Sequence, residues 1–286
     1  MTSMINTNIS SMVAQRSLFN SENALAVSMA RLTSGLRVNS AKDDAAGLSI
    51  AERMTSQVRG MNVAVRNSND GISLAQTAEG ALGKSGELLQ RMRELAIQSA
   101  NATNSTSDKA SLDTEYGELA KEVQRVFAST TFNGQRIIST DARPQVFQVG
   151  ANTAAENQIT VTTSNMTIQA DLVAVAGTDT AGTGRSVITG NSAAIMAVIG
   201  KIDVAIDQVS NERSILGASQ SRFESAISYL QMSSENQSSA RSRIMDADFA
   251  QETSNLSRSQ ILSQAGSAML AQANQLPKSV LSLIKD

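Results

Sequence analysis

The sequence predicts a mainly α protein, a long antiparallel helical bundle or coiled coil with discontinuous domains built from both chain ends and a small β-hairpin-containing tip. Three observations point there. Only two of the 286 residues are Pro, and Pro removes a backbone donor and clashes with the preceding turn, so its scarcity permits very long helices. Aromatics make up 3% and Trp is absent, which suits slender seams needing one apolar stripe per helix better than a wide core. Apolar residues recur at alternating steps of four and three over both ends, whereas the middle alternates with period two.

The elements follow in order. Near the start come Ile5, Ile9 and Met12, then Leu18, Leu25, Met29, Leu32 and Leu36; the change of phase between the two groups predicts a stutter in the supercoil. A second stripe reads Ala51, Met54, Val58, Met61, Val65, Ser68, Ile72 and Ala75, continued by Leu82 and Leu89, and a third reads Leu112, Tyr116, Leu119, Val123 and Val126. The clearest runs Ile195, Ile199, Ile202, Ile206, Val209, Arg213, Leu216, Gln220, Phe223, Ile227 and Leu230. Only Arg213 and Gln220 interrupt it, and a helix over this span is roughly 50 Å long. The last stripe is Leu262, Gly266, Met269, Ala273, Leu276, Val280 and Leu283, with Pro277 expected to kink the helix or leave a carbonyl unpaired.

Between these helices, Asn133-Gly134 is a turn signal, and Gln145–Val149 and Gln158–Thr162 alternate as exposed strands do. Gly177–Gly184 is a turn-rich, flexible stretch. The predicted domains are 1–44 with 245–286, a terminal coiled coil; 45–139 with 191–244, a helical rod; and 140–190, the small tip.

The composition also excludes chemistry. Lys plus Arg is 24 and Asp plus Glu is 26, a balance unlike the basic face of a nucleic-acid binder. Cys and His are both absent, which removes disulfides, thiolate and imidazole ligands and the commonest general base. Asp43-Asp44 and Asp246/Asp248 lack the pattern of a cation loop, and Gly177–Gly184 lacks the Gly-Lys-Ser/Thr ending of a phosphate loop. No cofactor, metal, nucleic acid or membrane is expected as a partner, and no enzymatic activity. The start has no basic cluster followed by an apolar run, so no cleaved secretory signal is expected.

Three segments carry a family resemblance: Ser34–Gly47, reading SGLRVNSAKDDAAG; Ala240–Thr253, reading ARSRIMDADFAQET; and Leu89–Asn101, reading LQRMRELAIQSAN. They resemble bacterial flagellins, over both conserved ends of that family, with a shortened middle. The spacing fits independently. Thirty-three residues precede Ser34 and thirty-three follow Thr253, so antiparallel ends bring both motifs to one level and form a domain joint. There Asp43 and Asp44 suit the N-terminus of the following helix, and Arg37, Arg241 and Arg243 are expected to pair with Asp246 and Asp248.

The resemblance implies a subunit that self-assembles in many copies into the helical flagellar filament. The stripes at Ile5, Ile9, Met12, Leu18, Leu25 and Leu32, and at Leu262, Met269, Leu276, Val280 and Leu283, are the expected polymerisation surface, ordered when neighbouring copies bury them. It further implies export through the flagellar secretion channel, an extracellular location, and as partners the flagellar cap and hook–filament junction proteins and an export chaperone. Arg91, Leu95 and Glu115 match positions through which many flagellins bind a host Toll-like receptor. Two alternatives are the hook–filament junction protein, a distant relative with a similar plan, and an extracellular binding module. The fit of both terminal motifs favours the filament subunit, and the aromatic-poor tip argues against a dedicated binding pocket.

Overall fold

The computed structural model describes residues 7–285, with side chains described through Gln275. Among the described residues the six α-helices are α1 (Ile9–Ser34), α2 (Ala45–Ser99), α3 (Thr106–Ser129), α4 (Ala170–Ala176), α5 (Ser192–Met245) and α6 (Phe249–Lys285). Four short strands, β1 (Thr131–Phe132), β2 (Gln135–Arg136), β3 (Gln145–Gln148) and β4 (Gln158–Val161), form two antiparallel hairpins. The chain divides into two units, Met1–Ser56 with Glu235–Asp286, and Gln57–Ser234. The first is discontinuous and built from both chain ends; α2 and α5 contribute turns to each unit.

Local chemistry sets the helix ends. Asn8 caps α1 by accepting from the Ser11 amide, and Gly35, at φ +71°, closes it through an N–H to the Arg31 carbonyl; glycine takes this left-handed position without a Cβ clash. Ser105 and Asp108 form a reciprocal capping box on α3. Asn191 and Asp248 accept amides at the starts of α5 and α6. The helical run of α6 continues on both sides of Pro277.

In the second unit α2 and α5 run antiparallel. Gly71 lies against Phe223, Glu79 faces Arg213 and Gln220, and Arg93 bonds Asp203 at 2.6 Å, each step forward on α2 matching a step back on α5. The buried stripe of α2 keeps steps of three and four from Met61 through Ala64, Ser68, Gly71, Ala75 and Ala78 to Leu82, Ser85, Leu89, Met92, Ala96 and Ser99. On α5 the residues Ile195, Ile202, Val209, Leu216, Phe223 and Leu230 are buried as the period predicts. Midway between them Val198, Ala205 and Ser219 are buried, while Ile199 and Ile206 are only partly covered. The two interruptions have a use: Arg213 and Gln220 both reach Glu79, at 3.6 Å and 3.0 Å.

Large residues meet small ones along this seam. A Cβ on Gly71 would lie 2.5 Å from Phe223 Cζ. Phe223 is buried and meets Phe147 of β3 edge-on, with centroids 5.6 Å apart, so its ring has no room to swing. Gly71→Ala is therefore expected to destabilise the second unit by about 1–3 kcal/mol, overpacking outweighing the gain in helix propensity. Thermal unfolding checks this, and an added Phe223→Leu should recover most of the loss.

The middle segment is more integrated than a hairpin on a loop. The β1–β2 turn has Asn133 at φ 48° and Gly134 at φ 78°, the geometry expected of Asn-Gly, and β3 pairs β4 from Gln145↔Val161 to Gln148↔Gln158. Alternation here marks one buried face: Ile159 and Val161 join Ile137, Ile138, Met166, Leu172, Val175 and Ile188 in the same core cluster as α2, α3 and α5. The helix α4 has no counterpart among the expected elements. Gly177–Gly184 is likewise tied down, with the Asp179 carboxylate accepting from the Ala181 and Thr183 amides and the Thr183 hydroxyl, and Gln124 donating to the Gly177 carbonyl at 2.6 Å.

Candidate assembly surface

In the first unit α1 and α6 pack as an antiparallel pair. Asn8 Nδ2 donates to the Ala273 carbonyl (2.8 Å), Ser11 Oγ to Asn274 Oδ1 (2.8 Å), and Ser28 Oγ to Glu252 Oε2 (3.1 Å). On α1 the side facing α6 runs Ser11, Ala14, Leu18, Ser21, Leu25, Ser28 and Leu32, unbroken steps of three and four. On α6 it runs Glu252, Leu256, Ser259, Ser263, Gly266, Leu270 and Ala273. Leucines alternate with small residues, and a Cβ on Gly266 would lie 3.3 Å from Leu18 Cδ1. Small residues on one helix accept the leucines of the other.

The fully buried positions of this pair include Ser11, Ser28, Glu252, Ser259 and Ala273, whereas large apolar side chains face outward. Ile9 is 62% exposed, Phe19 63% and Ile261 65%, and Met12, Val13, Val27, Met29, Leu262 and Met269 are also exposed. The expected polymerisation stripe thus divides. Leu18, Leu25 and Leu32 are half-buried in the pair, while Ile9, Met12, Leu262 and Met269 are exposed. Ile5 lies outside the described residues, and Leu276, Val280 and Leu283 outside the described side chains.

The change of phase between Met12 and Leu18 is a change of face and not a stutter, because Ser11 and Ala14 carry the seam through. Val13, Phe19, Val27 and Ile261 escaped the sequence reading because they lie off the stripes that were followed. Their signal was the reverse, a large apolar residue off the seam in a chain poor in such residues.

Glu252 is buried in this pair. Its carboxylate accepts from Arg31 Nη1 at 2.9 Å, from Ser28 Oγ, and from Asn255 Nδ2 at 3.5 Å. Burial works to raise its pKa, but the bonds from Arg31, Ser28 and Asn255 outweigh it and hold the carboxyl below its ordinary value.

The expected joint residues come together, though not as ion pairs. Leu36 and Asp246 form an isolated antiparallel bridge. The Arg37 amide donates to the Met245 carbonyl at 2.7 Å, the Ala247 amide to the Gly35 carbonyl at 2.9 Å, and Arg37 Nη2 to the Ile244 carbonyl at 2.8 Å. Asp44 caps α2 by accepting from the Gly47 amide at 2.8 Å. Asp43 closes the preceding turn on the Asn39 and Ser40 amides and the Ser40 hydroxyl, which lower its pKa.

Asp248 caps α6, Asp246 accepts from Ser242 Oγ, and Arg241 donates to Thr55 Oγ1 at 3.4 Å. Arg243 is exposed. The pairing of Arg37, Arg241 and Arg243 with Asp246 and Asp248 is therefore corrected: among the described residues the ion pairs include none of them. Backbone groups of the turn and the helix start claim Arg37 and Asp248 instead, and the hydroxyls of Thr55 and Ser242 meet Arg241 and Asp246.

In the second unit Arg91 and Glu115 are half-exposed and meet at 2.9 Å, with Glu94 on the same guanidinium. Leu95 is 1% exposed and belongs to the core, so it is corrected from an accessible contact to a packing residue. Sequence reasoning also missed the fork of Arg185 on Asp113, at 3.0 and 2.8 Å, over the Tyr116 ring. The Ile188 amide adds a third bond to Asp113. Burial would raise the Asp113 carboxyl, and the fork and amide hold it below its usual range. It ties the middle segment to α3, and no local pattern marks two residues so far apart.

Among the described residues, no group of three or more Asp or Glu is placed to hold a metal ion, and no helix is long and apolar enough to cross a membrane.

Comparison with known proteins agrees with this geometry. A family model described as the bacterial flagellin N-terminal helical region matches residues 5–142, and one described as the C-terminal helical region matches residues 199–284. A flagellin of Halalkalibacterium halodurans is 44% identical over 282 residues, covering 99% of this chain and 100% of the relative. Flagellin A of Vibrio cholerae is 35% identical over an alignment of 379 positions that covers all of both chains, so it carries residues that this 286-residue chain lacks. A crystal structure of Bacillus cereus flagellin aligns with 58% of this chain and 88% of its own, at 28% identity and a TM-score of 0.47. The chain belongs to the flagellin family.

Proposed function

We propose that the chain is the structural subunit of a flagellar filament, that it polymerises in many copies outside the cell, and that it performs no catalysis. The observation that supports this most is the inverted character of the α1–α6 pair, in which serines and a glutamate are buried while Ile9, Phe19 and Ile261 face outward. Large apolar side chains exposed along a pair whose interior is polar suit burial against neighbouring copies, and contacts between unlike surfaces that do not close on themselves build helical filaments. The domain reading goes with this: the terminal coil, 1–44 with 245–286, builds the filament interior, and 140–190 is the reduced outer region.

The polymerisation residues are those of both terminal stripes, with the seam leucines shaping the coil and the outward residues meeting neighbouring copies. Deleting residues 4–32 or 262–286 should abolish assembly, read by electron microscopy after seeding; normal filaments from either truncation would refute the reading. The same family relationship supports export through the flagellar channel without a cleaved signal, and contact with the cap protein, the hook–filament junction proteins and an export chaperone.

Recognition by a host Toll-like receptor is proposed through the exposed pair Arg91 and Glu115, with Leu95 setting the shape of the helix beneath them. Arg91→Ala is expected to weaken receptor binding at least about tenfold, in the range of a lost charged contact at an interface. Unchanged affinity in a direct binding assay would remove the assignment.

A further inference from the structure

Sulfur in this chain is confined to methionine: there are twelve Met and no Cys. The structure sorts them by exposure. Met61, Met92 and Met166 are buried in the second unit, where Met196 and Met232 are each 62% exposed; in the first unit Met12 is 61%, Met29 53% and Met269 63% exposed. Because α1 and α6 are antiparallel, with Asn8 at Ala273 and Leu18 at Gly266, Met12 and Met269 stand at the same level of the pair. Ile9, Val13 and Leu262 are exposed close by in sequence. At this level of the pair two oxidisable thioethers therefore lie on the surface whose burial the assembly reading requires, with a third, Met29, further along α1.

We propose that Met12 and Met269 form an oxidant-sensitive modification site that gates self-assembly of the free subunit. The substrate class is a two-electron oxygen donor such as a hydroperoxide. The thioether sulfur attacks the distal peroxide oxygen, an S=O bond forms as the O–O bond breaks, and hydrogen peroxide leaves as water. Sulfur loses two electrons and the peroxide gains them. The product is a polar sulfoxide in place of a flexible apolar group, and burying it against a neighbouring copy leaves its oxygen without the water that solvated it. Neighbouring copies that cover the surface would shield both sulfurs, so sensitivity belongs to the subunit before assembly. This inference rests on the filament reading.

The test treats the unassembled full-length chain with hydrogen peroxide, maps sulfoxides by peptide mass spectrometry, and follows seeded polymerisation by light scattering. Met12 and Met269 should oxidise at least about tenfold faster than Met61, Met92 and Met166, as exposure dictates. Polymer yield should fall in step with them. A Met12→Leu/Met269→Leu chain keeps an apolar group of similar volume, so it should assemble normally both before and after peroxide. Uniform oxidation rates, full assembly of the oxidised wild-type chain, or equal peroxide sensitivity of the double variant would each overturn the proposal while leaving the filament reading intact. Failure of the untreated chain to polymerise would overturn both.

Discussion

Arg31→Ala is expected to destabilise the α1–α6 pair by about 2–3 kcal/mol at neutral pH. Glu252 is buried in the seam, and among the described residues Arg31 is its charged partner there, at 2.9 Å. Removing one member of a buried pair leaves the other charge desolvated, which costs more than the net worth of the intact pair. Because Arg31 itself is about one-third exposed, water relieves part of that penalty, and the value sits below the range for a fully buried pair.

The pH dependence separates this from a simple loss of packing. In the wild type the Glu252 carboxyl is held below its ordinary value of 4.5. Its contribution is therefore fully present above that value and is lost as pH falls through the lower, folded-state pKa. Without Arg31 burial is opposed only by the bonds from Ser28 and Asn255, so the folded pKa of Glu252 should rise relative to the wild type. The variant should then lose less stability than the wild type on acidification, as Glu252 takes up a proton more readily. Glu252→Gln should remove this component of the pH dependence in either background. Urea unfolding of the full chain at several pH values, with circular dichroism as the readout, checks the sign; parallel pH profiles for wild type and Arg31→Ala would exclude the assigned role.

The same residues show where a sequence is readable and where it is not. On α5 the period of 3.5 located six buried residues from Ile195 to Leu230, because a large apolar side chain on a long helix has one inward direction available. It misplaced the positions between them, choosing Ile199 and Ile206 over Val198 and Ala205. Hydrophobicity cannot rank neighbouring residues when several elements cover the same helix. On α1 the inward side was legible only in part. Leu18, Leu25 and Leu32 were found, but the serines that continue the seam carry no hydrophobic signal, so Ile9 and Met12 were assigned to a stripe from which they point away.

The motif Ala240–Thr253 was read as a set of charges, yet its most buried charge, Glu252, acquires its role only from Ser28 and Arg31, more than 200 residues earlier. Local signals fared best. The Asn-Gly turn at Asn133-Gly134 and the carboxylate of Asp44 at a helix start both depend on a few neighbouring residues, and both are present. The fork of Arg185 on Asp113 depends on chain topology and left no local trace.

Replacing Ile9, Phe19 and Ile261 together by Ser is expected to abolish filament growth while leaving the subunit's fold in place. All three are more than 60% exposed, so in the free chain each substitution removes little packing and should change stability by no more than about 0.5 kcal/mol. In an assembly that buries them, each side chain contributes about 1.5–3 kcal/mol. Three of them are then worth about 4–9 kcal/mol per subunit, a rise of about a thousandfold to a millionfold in critical concentration at 1.4 kcal/mol per factor of ten. That is ample to stop growth at any practical concentration.

Leu18→Ser makes the informative contrast. Leu18 is half-buried against Gly266, so its loss should lower the helicity and stability of the free chain before it affects contacts between copies. The assembly reading therefore requires two separable defects: outward substitutions that raise the critical concentration at unchanged helicity, and seam substitutions that lower helicity first. Sedimentation of seeded samples over a concentration series, beside circular dichroism of the unassembled chains, distinguishes them. Growth of the triple variant at the wild-type critical concentration would mean that these outward side chains are not what joins one copy to the next.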